Sequence, residues 1–191
     1  TYCLLRQVYL ELRGASGSHR SRGRPMLGAE VDAQLDYRGG LDQYHRDEQW
    51  QRDVIAHYAD NLARMVHLTS QAGVPLLFIN PVSNLRDCPP FKSEHRAGLN
   101  SQDLQRWEQL WDQAKAAYAT DLRQAISFLE QAAAIDDQHA GLQYQLGECY
   151  DTLGDLERAK RHYSLAKDLD ICPLRLLDDM QRVLRDVAHR T

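Results

Sequence analysis

A pattern that repeats in the second half of the chain restricts its fold more than any other feature of the sequence. Three apolar positions of one stretch recur 34 positions later, as Ala125 and Ala159, Leu129 and Tyr163, and Ala132 and Ala166. The spacing within each stretch, four residues and then three, places the three side chains on one face of a helix. A period of roughly 20–50 residues is typical of folds built from stacked units. We therefore expect residues 104–169 to form two helical hairpins that pack against each other.

The second stretch carries the more detailed pattern. Seven of its residues occupy characteristic positions of a known 34-residue repeat: Leu146, Gly147, Tyr150, Gly154, Ala159, Tyr163 and Ala166. The region resembles the tetratricopeptide repeat, a pair of antiparallel helices. The resemblance implies that the two helices approach closely at Gly147 and Ala159. It also implies that Tyr150 and Tyr163 fill the space between successive hairpins.

The first repeat unit and the end of the chain depart from this pattern. The first unit carries Trp107 and Leu110 with Trp111 where the repeat usually has a Leu-Gly pair. Pro173 stands two places later than the usual proline and precedes an amphipathic stretch with Leu174, Leu177, Val183, Leu184 and Val187. Because proline suits a first helical turn, we predict that a last helix starts there. The predicted divisions are a repeat domain at residues 101–172 and a returning helix at residues 173–191.

A second periodic pattern precedes the repeats. Apolar residues four positions apart predict a helix from about Asp47 to Gln71, ended by Gly73: Trp50, Val54, Tyr58, Leu62 and Val66. The following run, VPLLFIN at residues 74–80, has no polar face and predicts a strand buried on both sides of a parallel sheet. Weaker patterns predict a helix at residues 2–12 and permit a short strand at residues 31–37.

A buried strand needs neighbours, because unpaired backbone amides and carbonyls are costly to bury. Two sources of partner strands remain open. Residues 31–37 are one source, and sequence outside these 191 residues is the other, which we favour. The predicted fold is therefore a partial α/β layer at residues 1–100, joined to an α-helical repeat array that makes the chain mostly helical.

The composition excludes several classes of function. A net charge of −4 offers no basic surface for nucleic acid, and no apolar run approaches the roughly 20 residues needed to span a bilayer. The four cysteines, Cys3, Cys88, Cys149 and Cys172, lie far apart without a C-x-x-C pair, so we expect reduced thiols. The histidines show no metal-ligand spacing. We predict neither a metal nor a cofactor, and the sequence does not indicate a cellular compartment.

Residues 80–95, here called the polar loop, follow the predicted strand. Ligands of open α/β sheets bind at the carboxyl ends of strands, so the polar side chains of this loop are candidate substrate contacts: Asn84, Arg86, Asp87, Lys92, Glu94 and His95. The alternative is that these residues cap turns or carry solvated charges. A nucleophilic pair of Cys88 and His95 is disfavoured, because two prolines separate them and no local signature supports it.

The polar loop NPVSNLRDCPPFKSEH, the sequence YHRD at residues 44–47 and Trp50 together resemble a bacterial group of SGNH (GDSL-like) hydrolases that carry tetratricopeptide repeats. The resemblance implies a flavodoxin-like sheet, a serine nucleophile, a glycine and an asparagine in the oxyanion hole, and a D-x-x-H segment that supplies the base. This chain matches an internal region between those motifs. None of its residues is therefore assigned a catalytic role, and we expect it to be inactive alone.

Two functions follow as hypotheses. The first is an internal segment of a serine esterase-type hydrolase, whose complete form acts on an ester substrate with the polar loop lining the pocket. The alternative is a protein–protein interaction module that grips a peptide or protein with polar side chains of the first helix of each hairpin, such as Gln143 and Glu148.

Overall fold

The computed structural model describes residues 40–190, which are helical apart from their connections. A short 3-10 helix, Gly40–Gln43, precedes six α-helices: α1 Glu48–Gln71, α2 Ser101–Tyr118, α3 Leu122–Ile135, α4 Ala140–Thr152, α5 Leu156–Asp168 and α6 Asp178–His189. Residues from Leu41 onward form one compact unit. The predicted helix at residues 2–12 and the possible strand at residues 31–37 lie outside the described residues.

Short polar side chains set where most of these helices begin. An Asx oxygen accepts a hydrogen bond from a backbone N–H three residues later at the starts of α1, α2, α3 and α5, through Asp47, Asn100, Asp121 and Asp155. Such caps satisfy amides that have no partner within the helix. Gly73 follows α1 with a φ of 64°, a conformation that favours glycine. The helix predicted at residues 47–71 is thus confirmed.

The four middle helices form the two predicted hairpins. Helix α2 packs against α3 and α4 packs against α5, while α3 and α4 join the hairpins. The buried apolar side chains form one continuous core: Trp107, Leu110, Ala114, Ile126, Leu129, Ala132, Leu142, Leu146, Cys149, Tyr150, Ala159 and Tyr163. All six residues of the 34-residue pattern are buried. The periodicity therefore predicted which face of each helix would be covered.

Tyr150 and Tyr163, the two tyrosines at characteristic positions of the repeat, differ in what they contact. Tyr150 donates a hydrogen bond to Glu130 Oε1 at 2.6 Å, so it connects α4 to α3 of the preceding hairpin, as expected. Tyr163 instead lies against Gly147 within its own hairpin. The expectation that Tyr163 fills the space between hairpins is therefore corrected. The ring occupies the room that Gly147 leaves.

The last helix, α6, starts five residues later than predicted, because residues 173–177 are not helical. Its first amide, Asp178 N–H, donates to Asp168 Oδ1 at 3.1 Å, and the buried Lys167 ammonium lies 2.7 Å from Asp178 Oδ1. These contacts tie the start of α6 to the end of α5. Helix α6 then packs against α1, where Leu184 and Leu62 are buried.

The prediction of a buried strand at residues 74–80 is wrong for this structure. No β-strand and no α/β layer occur within residues 40–190, and this run has no regular secondary structure. Leu77 and Ile79 are 83% and 77% exposed. An apolar run forms a buried strand only where neighbouring strands complete its hydrogen bonds, and the described residues supply none.

Candidate functional site

The first helices of the two hairpins, α2 and α4, line an open cleft of about 300 Å³, here called the inner cleft. Lys115 and Tyr118 project from α2, and Gln145 and Glu148 project from α4. Each pair is three residues apart, which places its members on the same side of the helix. The inner cleft therefore presents two aligned pairs of mostly polar side chains on rigid elements.

The inner cleft adjoins a second depression of about 240 Å³ that shares Tyr118 and Glu148 with it. Tyr144, Asp151 and Thr152 of α4 extend this surface. Their spacing from Glu148 again follows the helical repeat, so one stripe of α4 lines both depressions. The inner cleft and the second depression are therefore neighbours along α4 and meet at Glu148.

Glu148 is the carboxylate that lines the inner cleft, and the cation in the lining, Lys115, lies 2.7 Å from Asp112 Oδ1 on its own helix. Burial raises the pKa of its carboxyl above the ordinary value, although a hydrogen bond from Gln145 Nε2 at 2.9 Å acts in the opposite direction. Burial also raises the pKa of Tyr118, and the negative charge of Glu148 adds to this rise. A partly desolvated carboxylate with one side-chain donor would gain from a cation supplied by a partner.

The polar loop covers the rest of the α4 stripe. Arg86 Nε lies 2.6 Å from Asp151 Oδ2, and the Tyr144 hydroxyl donates to the carbonyl oxygen of Arg86. At the start of α4, Gly141 N–H donates to Ser93 Oγ at 2.8 Å. The chain itself thus occupies this part of α4 and leaves the inner cleft open.

Two of the six predicted substrate contacts shape a turn in the polar loop. Asn84 Oδ1 accepts a hydrogen bond from Asp87 N–H at 3.0 Å, and Asn84 Nδ2 donates to Asp87 Oδ2 at 3.4 Å. This is an Asx-type turn. Both side chains are exposed, and Arg86, which lies in the same turn, contacts Asp151.

Lys92 and Glu94 bind the segment that precedes α1. The Lys92 ammonium contacts the carbonyl oxygens of Leu41 and Tyr44 and lies 3.0 Å from Glu94 Oε1. Glu94 in turn accepts hydrogen bonds from Arg46 N–H at 2.9 Å and from His45 Nδ1 at 2.8 Å. Burial alone would raise the pKa of Glu94, but these donors outweigh it and lower the pKa to about 2.

His95 lies apart from both groups, in a cluster of rings at the junction of the hairpins. Its Nδ1 is 2.8 Å from the buried Asp136 Oδ2, and its ring contacts those of Trp107 and His139. Burial lowers the pKa of His139 to about 4, and the nearby His95 adds to this effect. The structure therefore disperses the six predicted residues over three sets of contacts. Their role as substrate contacts stays a prediction.

Of the two polar side chains expected in a peptide-binding groove, Gln143 and Glu148, only one lines the inner cleft. Glu148 lines the inner cleft as expected. Gln143 does not, because it is 4% exposed and bonded to His162 Nδ1 at 2.8 Å and to the Asp137 carbonyl oxygen. Tyr118 and Tyr144 were not predicted, although Tyr144 lies one helical turn before Glu148. The spacing of four residues, which places Tyr144 and Glu148 on one side of the helix, could have identified it.

The described residues offer no metal site, since no group of three or more potential ligands comes together among them. Burial raises the pKa of the Cys149 thiol to about 11 and also raises that of Cys172, whereas a nucleophilic cysteine needs a lowered pKa. Cys88, Cys149 and Cys172 are free thiols. None of the helices within residues 40–190 is both long and apolar enough to cross a membrane.

Comparison with known families identifies the repeats. Residues 111–170 match the tetratricopeptide repeat family, and this range spans the end of α2 and all of α3, α4 and α5. This part of the chain is a tetratricopeptide-type helical region, as its sequence predicted. Neither the curated proteins nor the solved structures give a match.

Proposed function

We propose that the two hairpins form a protein–protein interaction module whose contact surface is the inner cleft between α2 and α4. The observation that carries the proposal is the match of residues 111–170 to a repeat family that commonly mediates binding of protein partners. The inner cleft supports it, because its side chains stand on helices whose positions are set by packing, α2 against α3 and α4 against both α3 and α5. Such pre-organisation reduces the entropy lost on binding.

The chemistry of the inner cleft indicates the kind of partner. Glu148 offers a carboxylate with Gln145 as its side-chain donor, and Tyr118 is 38% exposed beside it. A lysine or arginine side chain can pair with the carboxylate and stack on the tyrosine ring. We infer that the partner presents a peptide segment carrying at least one basic residue.

The test is selection of peptide ligands from a random library against the full 191-residue chain, followed by affinity measurements with variants. The selected peptides should be enriched in Lys or Arg, and Glu148→Gln should weaken their binding at least about tenfold, about 1.4 kcal/mol. Glu108→Gln serves as the matched control, because Glu108 is an exposed carboxylate of α2 that does not line the inner cleft. Equal affinities for the two variants would reject the assignment.

The ester-hydrolase hypothesis stays a prediction from sequence resemblance, and no observation on residues 40–190 supports it. Arg86, Lys92 and His95 are engaged by groups of this chain: Asp151, Glu94 and Asp136, respectively. Its test is an assay of simple aryl ester hydrolysis by the protein that the complete open reading frame encodes. Activity that depends on a serine upstream of residue 1 would establish the hypothesis.

A further inference from the structure

A cavity of about 440 Å³ lies between residues 80–85, α5 and α6, away from the inner cleft. Its polar lining includes Lys160 and Ser164 from α5, and Gln181, Arg182 and Arg185 from α6. Lys160 and Ser164 are four positions apart, as are Gln181 and Arg185, and Arg182 is three positions before Arg185, spacings that direct each pair to the same side of its helix. Two helices thus bring cationic side chains to opposite walls of one cavity.

The charge of this cavity differs in sign from that of the whole chain. The chain has a net charge of −4, whereas the cavity is lined by four cationic side chains and one carboxylate, Asp178. Asp178 is already committed to the buried Lys167, 2.7 Å away. The lining contains no further carboxylate that could neutralise the other three cations, Lys160, Arg182 and Arg185. A local positive potential in a concave site attracts anions.

The three remaining cations differ in whether they have a carboxylate partner. Arg182 bonds to Asp179 on its own helix. Lys160 and Arg185 are exposed, and within the described part of the chain no carboxylate lies close enough to form an ion pair with either. Two cations without a carboxylate partner thus line one cavity, and an anion bound there would gain charge-assisted hydrogen bonds from both.

The remaining wall is formed by residues 80–85, in which Pro81, Val82 and Leu85 are apolar and Asn80 and Ser83 are polar. Gln181 Nε2 donates to the Pro81 carbonyl oxygen at 3.1 Å, which holds residues 80–82 against α6. Val82, next to it, is 97% exposed. An anion carrying a small apolar group could therefore place that group on Pro81 and Val82 while its charge meets the cations.

We propose that this cavity binds a small organic phosphate. The phosphate group pairs with Lys160 and Arg185 and accepts a hydrogen bond from the Ser164 hydroxyl. Phosphate suits the site because it has enough oxygens to bond donors from both walls and because the arginine guanidinium matches it with two parallel hydrogen bonds. The apolar part of the ligand rests on residues 81 and 82. This proposal is independent of the function proposed for the inner cleft.

The experiment is an NMR titration of the full chain with phenyl phosphate, inorganic phosphate and uncharged phenol as probes. Phenyl phosphate should shift the backbone signals of residues around Ser164 and Arg185 and bind at least about fivefold more tightly than inorganic phosphate. Phenol should cause no comparable shifts. Equal responses to phenyl phosphate and phenol would overturn the proposal, because the cations would then play no role.

Variants locate the site. The double substitution Lys160→Ala with Arg185→Ala should weaken phenyl phosphate binding at least about tenfold. The control, Arg106→Ala with Arg123→Ala, removes the same charge from exposed positions of α2 and α3 and should leave the affinity within about twofold. Equal weakening in both double variants would show non-specific attraction and reject the site. Circular dichroism confirms folding of each variant, and a phosphoserine peptide that binds more tightly than phenyl phosphate would replace the small-molecule assignment.

Discussion

The ring of Tyr163 lies in the space that a side chain at position 147 would need. A Cβ atom placed on Gly147 would be 2.6 Å from Tyr163 Cδ1 and 2.7 Å from Cε1, far inside van der Waals contact. Helices α4 and α5 therefore owe their close packing to the absence of a side chain at this position.

Gly147→Ala should destabilise the chain by about 1–2 kcal/mol, because the overpacking penalty exceeds the roughly 1 kcal/mol that alanine gains in helix propensity. Urea unfolding measures the free energy difference. The reference is the same substitution in a Tyr163→Leu background, where a shorter and flexible side chain replaces the ring and the penalty should disappear. An unchanged penalty there would show that the ring is not its cause.

The buried carboxylate of Asp136 joins three groups, two of which lie 40 and 41 residues away in sequence. Its Oδ2 accepts hydrogen bonds from Arg96 N–H at 3.2 Å and faces His95 Nδ1, while Oδ1 accepts from Gln138 N–H at 3.0 Å. Asp136→Ala should therefore cost about 2–4 kcal/mol, because it leaves partly buried donors without an acceptor. The neighbouring Asp137 has an exposed side chain, so Asp137→Ala should change the free energy of unfolding by less than about 0.5 kcal/mol. Similar losses at both positions would contradict this explanation.

His139 should make the chain less stable as the pH falls from 6.5 to 4. Burial lowers its pKa to about 4 in the folded chain, so over this range the unfolded chain takes up a proton that the folded chain does not. The expected loss is about 2–3 kcal/mol, which corresponds to the pKa difference. The side chain of His139 caps α4 by accepting a hydrogen bond from Leu142 N–H at 3.2 Å. His139→Ser keeps an acceptor oxygen at this position and should remove this part of the pH dependence.

The control for that titration is His67→Ser, since His67 is exposed on α1. Denaturant unfolding at half-unit pH steps gives the slope for each variant. A slope that His67→Ser removes, or that survives in His139→Ser, would assign the pH dependence to another group.

Glu94 acts in a lower and separate pH window. Its folded-state pKa of about 2 lies below the ordinary 4.5, so its stabilising contribution is present above pH 4.5 and is lost as the pH falls toward 2. We expect about 1 kcal/mol, because water reaches the contacts with His45 and Lys92 and screens them. In Glu94→Gln the free energy of unfolding should vary less over this window, and Glu157→Gln, an exposed change, should behave like the unaltered chain. No difference between the two would reject the role of Glu94.

The sequence predicted the hairpins because their determinants are local. Leu129, Ala132 and Tyr163 occupy positions that a period of 3.6 residues assigns to one covered face, whatever lies further along the chain. The start of α1 at Asp47 could also be predicted from the sequence, because the capping hydrogen bond joins residues only three positions apart. The turn of Asn84 and Asp87 also follows from neighbouring side chains, as the alternative interpretation of the polar loop held.

Contacts between distant residues could not be predicted in this way. Arg86 contacts Asp151, and Lys92 contacts the carbonyl oxygen of Leu41. Many similar partners exist in the sequence, and only the tertiary fold determines which of them come together. The strand prediction failed for a related reason. An apolar run such as residues 74–79 has the composition of a buried strand, but its conformation depends on neighbours that periodicity does not reveal.

Asp170 holds the polar loop from far along the chain. Its carboxylate accepts hydrogen bonds from the N–H groups of Phe91 and Lys92, at 2.9 and 3.1 Å, across a separation of 78 or 79 residues. During synthesis residues 91 and 92 therefore cannot bond to this acceptor until α5 and Asp170 have been made, so this part of the polar loop docks only after both hairpins are complete.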